Sequence, residues 1–188
     1  MLEEKKLYHK TVLIVIASKD FRDEEYFIPY EIFQREGAKV VTASSVKGEI
    51  IGVEGGEARA TELINNIDVR KYDAVVFVGG DGAREYFDND NAHKIAIEAV
   101  NRGKILAAIC IAPVILAHAG VLRAKKATVW SSLSDKSGTE ELKKGNCNPS
   151  EERIVRDGKI ITADGPAMAE EFAHAVVEAM SEKTEEKE

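Results

Sequence analysis

Among the side chains of this 188-residue chain, those suited to covalent or proton chemistry are two cysteines, four histidines and a cluster of acids near residue 24. Cys110 lies in "GKILAAICIAPVILAHAG" (103–120), where a strand-like apolar run becomes helix-like. A thiol at the start of a helix meets free N–H groups and the positive end of the macrodipole, both of which favour thiolate. Pro113 fits such a start, since proline is accommodated in a helix's first turn. The spacing therefore describes a nucleophile on a strand-to-helix corner. The competing reading is a small apolar filler, because cysteine is among the most buried residue types.

A nucleophile needs a proton partner. His118 is eight residues along the same predicted helix, about 12 Å away at ~1.5 Å per residue, and His9, His93 and His174 read as surface or packing residues. The acids of "RDEEY" are better placed, after the first strand. The Pro29 ring crowds the carbonyl four residues earlier, that of Glu25, so irregular backbone is expected there and Glu25 is singled out. Asp23 and Glu24 read as a solvated acidic helix start. Gly79 and Gly80, in "VVFVGGDGAREYF", have two readings: backbone N–H groups that hold an oxyanion, or a tight turn without chemistry. The third glycine of a dinucleotide-binding fingerprint is missing. Cys147, in "KKGNCNPSEE", reads as a loop thiol, and no His/Cys/carboxylate set has metal-ligand spacing.

The elements that must position these residues follow from apolar periodicity. "TVLIVIA" (11–17), "AKVVTAS" (38–44), "YDAVVFVGG" (72–80) and "ILAAI" (105–109) read as strands buried on both faces. Helices are expected over the segment after Arg22, bent or restarted at Pro29, then after Gly80, over 111–120 and over the segment after Gly165. "GEIIGVEGG" suggests a hairpin or an irregular excursion, "ATVW" (127–130) a short strand, and "IVRDGKIITA" (154–163) an edge hairpin turning at Asp157-Gly158. Alternating strands and helices imply an α/β fold with a mostly parallel sheet covered on both faces. One domain spanning 1–188 is expected, its core at about 11–180 and a charged tail at 181–188.

The composition, 44% hydrophobic and 31% charged, suits a globular protein. A formal charge of −7 disfavours nucleic-acid partners, and no apolar run is long enough for a membrane span. Without a signal-like N-terminus, a cytoplasmic location is expected, with both thiols free.

"DEEYFIPYEIFQREGAKVVTAS", "VVFVGGDGAREYF", "AAICIAPVILAHAGVL" and "ITADGPAMAEEFAHAVVEAM" together resemble the DJ-1/PfpI family in order and spacing. The resemblance implies a flavodoxin-like three-layer α/β/α sandwich with Cys110 on a nucleophile elbow. It makes Cys110 the reactive cysteine and Glu25 its hydrogen-bonding carboxyl partner. Gly80 and Ile111 would supply oxyanion N–H groups, and Gly79, Trp130 and Arg84 are candidates for the pocket. It further implies no cofactor, a homodimer or larger homo-oligomer, and a small aldehyde or peptide as substrate. The chain departs from protease-type members, which have histidine where Ile111 stands. Trp130 replaces a histidine of several glyoxalase- and deglycase-type members, and Arg84 replaces an acid, with Glu85 one step away. The expected function is a cysteine-dependent hydrolase of α-oxoaldehydes or their adducts. An intracellular peptidase and a non-enzymatic oxidant sensor or chaperone are the alternatives.

Overall fold

The structure is a computed structural model, and it describes residues 5–182. The first strand, β1 (Thr11–Val15), leads to helix α1 (Asp23–Arg35) and strand β2 (Lys39–Ser44). The glycine-rich stretch then forms the antiparallel hairpin β3 (Gly48–Ile51) and β4 (Glu57–Ala60), followed by the short β5 (Glu62–Leu63). Strand β6 (Ala74–Phe77) precedes a 3-10 turn, Asp81–Tyr86, and α2 (Asp90–Asn101). β7 (Ile105–Ile109) leads to α3 (Pro113–His118), β8 (Lys126–Ala127), α4 (Ser137–Lys144) and β9 (Asn148–Pro149). The chain closes with the hairpin β10 (Ile154–Asp157) and β11 (Ile160–Ala163), then α5 (Ala169–Ser181).

The main sheet has seven strands in the order β10-β11-β7-β6-β1-β2-β5. All neighbours are parallel except the edge pair β10 and β11. Because strand side chains alternate in direction, each central strand feeds two cores. Val12 and Ile14 of β1 join Phe33 of α1 and Phe172 of α5 on one face. Leu13 and Val15 join Ile95 of α2, Leu116 of α3 and Leu142 of α4 on the other. Phe33 and Phe172 are fully buried, and each stabilises the fold by roughly 2–3 kcal/mol relative to exposure. This is the expected three-layer flavodoxin-like sandwich, with helices on both sides of a mostly parallel sheet.

Four local expectations are corrected. α1 runs through Pro29 as one helix, and Glu25 lies in its first turn with helical backbone. Burial of Tyr26, Pro29, Ile32 and Phe33 along one side holds that helix together despite the N–H that proline lacks. The helix expected at 111–120 is only Pro113–His118, preceded by a turn. "ATVW" gives two strand residues, because from Thr128 the backbone turns to other partners: Thr128 N–H donates to the Thr162 hydroxyl (2.9 Å) and Trp130 N–H to the Cys110 carbonyl (2.8 Å). The segment before Cys147, to which the sequence pattern assigns no element, contains α4, a helix with few apolar residues packed through Leu142. Of the tail at 181–188, residues 183–188 lie outside the described residues.

Candidate functional site

Cys110 follows the last residue of β7 and has φ +63°, a left-handed conformation that side chains other than glycine adopt rarely. Neighbours on both sides hold it there. Its N–H donates to the Ala163 carbonyl (2.9 Å), and its own carbonyl accepts from Trp130 N–H (2.8 Å). The elbow thus rests on β11 and on the segment after β8. A left-handed cysteine costs on the order of 1–2 kcal/mol, a strain typical of reactive positions.

Glu25 is completely buried beside it. Its Oε2 accepts the Gly79 N–H at 2.9 Å, whereas Oε1 is buried with no hydrogen bond formed. The Cys110 thiol lies beside this carboxyl group, and each group shifts the other's proton. A methyl group on Gly79 would sit 2.6 Å from both Cys110 Cβ and Glu25 Oε2. Only glycine lets these three positions close up.

Burial raises the Glu25 carboxyl from its ordinary 4.5 to about 8, against the opposing pull of hydrogen bonding to Cys110 and Gly79. Burial, reinforced by the negative charge of Glu25, pushes the Cys110 thiol up to about 12. The N–H groups of Gly80 and Ile111 face the sulfur and pull the other way. The freely ionised thiol expected from a helix terminus is therefore corrected. α3 begins three residues beyond Cys110 and has only six residues, too little dipole to overcome burial. The two groups titrate as a pair, and once Glu25 carries the proton the charge opposing thiolate is gone.

The sulfur opens into a cavity of about 480 Å³ lined by Arg22, Val53, Gly80, Arg84, Ile111 and Trp130, among others. Cys110, Glu25, Gly80, Ile111, Trp130 and Arg84 are thus brought together, while Gly79 acts from behind by holding Glu25. Arg84 is paired with Asp81 at 2.7 Å. Glu85 faces elsewhere, accepting from Ser18 N–H (2.7 Å) and the Ser18 hydroxyl (2.9 Å). His118 lines an adjoining cavity of about 330 Å³ and is bound to Asp88 (2.9 Å) and Glu141 (2.8 Å). Burial works against its charged form, but the two carboxyl partners prevail and its pKa is raised. Cys147 is buried on the opposite face of the sheet, its thiol donating to the Lys125 carbonyl at 3.2 Å.

Residues 10–179 match the sequence profile of the DJ-1/PfpI family. The chain belongs to that family. A protein from Methanocaldococcus jannaschii, itself uncharacterised, is 40% identical over 93% of this chain and 84% of its own length. A Pyrococcus horikoshii protein named a deglycase is 29% identical over 82% of this chain and 90% of its own. A Caenorhabditis elegans protein named a glutathione-independent glyoxalase is 24% identical over 93% and 92%. Among solved structures, a ThiJ/PfpI domain protein from Brachyspira murdochii superimposes with a TM-score of 0.86 at 33% identity, covering 90% of this chain and 95% of that one.

On this DJ-1/PfpI scaffold, sequence reasoning missed part of the cavity wall. Asp23 does not belong to a solvated helix start. It is buried and accepts N–H groups from Glu54 (2.8 Å) and Gly56 (2.7 Å) in the β3–β4 loop. That loop brings Val53 to the site. The available signal was the glycines of "IGVEGG", Gly52, Gly55 and Gly56, which read as part of a hairpin or an irregular excursion without a role at the site. Asp135 and Pro166 also line the cavity, arriving from loops with no local motif. Among the described residues, no group of three or more His, Cys, Asp or Glu side chains is placed to hold a metal ion, and no helix is long and apolar enough to cross a membrane.

Proposed function

We propose that this chain is a cysteine-dependent enzyme of glyoxalase or deglycase type, acting on small α-oxoaldehydes or their adducts through Cys110 and Glu25. The observation that carries the reading is the fully buried Glu25 carboxyl group beside the Cys110 thiol, with its Oε1 free of any hydrogen bond. A buried carboxyl group with a pKa near 8 and one free oxygen is suited to moving a proton at the reacting carbon. The names of the P. horikoshii and C. elegans relatives support the same class of reaction.

The working state is the pair with one proton, thiolate beside carboxylic acid. The sulfur attacks the aldehyde carbon of methylglyoxal, the carbonyl electron pair moves to oxygen, and Glu25 protonates that oxygen to give a hemithioacetal. The Glu25 carboxylate then takes the hydrogen of that carbon and returns it to the neighbouring carbon. The hydroxyl proton passes to the second oxygen, leaving a thioester. Water adds to the thioester carbonyl and the carbon–sulfur bond breaks, releasing lactate and one proton to solvent and restoring the singly protonated pair. Gly80 and Ile111 N–H groups supply the oxyanion donors. Against the peptidase alternative counts the engagement of His118 by two carboxyl groups, which leaves a departing amine without a free imidazole donor.

Lactate formation from methylglyoxal tests the reading. The native chain is expected to turn over with a rate that rises with pH through about 8, where the pair loses its first proton. Cys110→Ala and Glu25→Gln are each expected to fold and to make no lactate. Equal turnover in all three would refute the mechanism.

A further inference from the structure

Asp23 is two residues from Glu25 and takes no part in that chemistry, yet it is only 8% exposed and both its oxygens are occupied by one loop. A methyl group on Gly52 or on Gly56 would overlap the Asp23 carboxylate, and on Gly56 the Phe27 ring as well. The loop therefore has glycine at its two points of closest approach to the acid. It closes on itself through Gly52 N–H to the Gly56 carbonyl (2.9 Å) and Gly55 N–H to the Gly52 carbonyl (3.1 Å), with Gly55 at φ +89°.

Further ties join the same loop to the segment before α1. Asp20 N–H donates to the Ile51 carbonyl (3.2 Å), Val53 N–H donates to the Phe21 carbonyl (2.9 Å), and Arg22 pairs with Glu54 at 3.5 Å. Arg22 N–H in turn donates to the Gly79 carbonyl (3.1 Å), behind Glu25. Val53 has no such buried role: it is 48% exposed and lines the cavity over Cys110. The residue the loop offers to the cavity is thus held by backbone and by Asp23, not by packing of its own side chain.

We infer that Asp23 is a positioning residue that sets the width of the entrance to Cys110 by fixing the β3–β4 loop, and with it Val53, so that compact electrophiles are admitted in preference to bulky ones. The inference rests on Cys110 being the reacting group of the proposed function, and not on which reaction it performs. A clamp that served stability alone would change the unfolding midpoint without sorting reagents by size.

The test is alkylation of Cys110 by iodoacetamide and by a pyrenyl maleimide at one alkaline pH, read by peptide mass so that Cys147 is scored separately. Asp23→Ala is expected to raise the bulky-to-compact rate ratio at least roughly ten-fold, since losing both N–H ties frees the loop to leave the entrance. Gly56→Ala, whose methyl pushes the loop off the same carboxylate, is expected to shift the ratio in the same direction and serves if Asp23→Ala does not fold. In methylglyoxal turnover, Asp23→Ala is expected to change KM more than kcat. An unchanged ratio in the folded variants overturns the inference. A native chain that shows this size selection but forms no lactate would refute the proposed reaction and leave the gate in place.

Discussion

Replacing Glu25 with glutamine should make Cys110 more acidic while abolishing turnover. Glutamine keeps the shape: its oxygen can accept the Gly79 N–H now held by Oε2, and its amide N–H can point at the sulfur. The substitution removes a negative charge in contact with the thiol, the largest cause after burial that pushes Cys110 up to about 12. A unit charge at about 4 Å costs roughly 4 kcal/mol at an effective dielectric of about 20, which is about three pKa units. Burial remains, so the Glu25→Gln thiol is expected to titrate two to three units lower, at roughly 9 to 10. Thiolate absorbance at 240 nm, taken as the difference from the matching Cys110→Ala variant, isolates this sulfur from Cys147 and the tyrosines. A midpoint that stays at the native value or rises would refute the claim that the charge of Glu25, and not burial alone, holds the thiol protonated.

The same carboxyl group should make stability depend on pH. Because its folded pKa of about 8 is above the ordinary 4.5, the folded state binds the extra proton between those values, and stability is fully present below 4.5 and lost as pH rises through 8. Urea midpoints should show a decline on the order of 3–5 kcal/mol across that window, which Glu25→Gln should flatten. Gly79→Ala, with its methyl 2.6 Å from Glu25 Oε2 and 2.8 Å from the Ile109 carbonyl, should separate acid from thiol: lactate formation should fall at least ten-fold, as measured under saturating methylglyoxal, for a barrier rise of about 1.4 kcal/mol or more. Tyr86→Phe removes a hydroxyl that donates to the Ile16 carbonyl (2.8 Å) and accepts the Ser45 N–H (2.9 Å), and denaturant unfolding should show a loss of about 1–3 kcal/mol.

How much of this was legible in the sequence depended on range. The strands buried on both faces announce themselves as unbroken apolar runs, and β7 ends where its run ends, at Ile109. The edge hairpin was equally plain, because Asp157-Gly158 is a local turn signal. α4 was hidden because a short polar helix with Leu142 as its one large buried side chain has too few apolar residues to read. Pro29 misled, since local propensity forecasts a break that tertiary burial of Ile32 and Phe33 overrides. At the site, Cys110 and Glu25 stood out by position and through the family pattern. The Asp23 clamp did not, because it joins residues more than 30 positions apart and its acceptor looks like any acidic first turn. The high thiol pKa was likewise invisible: burial and a neighbouring charge belong to the assembled fold.

The placement of Cys147 on the far side of the sheet from Cys110 has a consequence for oxidative damage. With just two cysteines in the sequence, an elbow sulfur oxidised to sulfenic acid finds no second thiol within its own chain to condense with. Its recovery depends on reductants dissolved in the surrounding medium, small enough to enter where substrate enters.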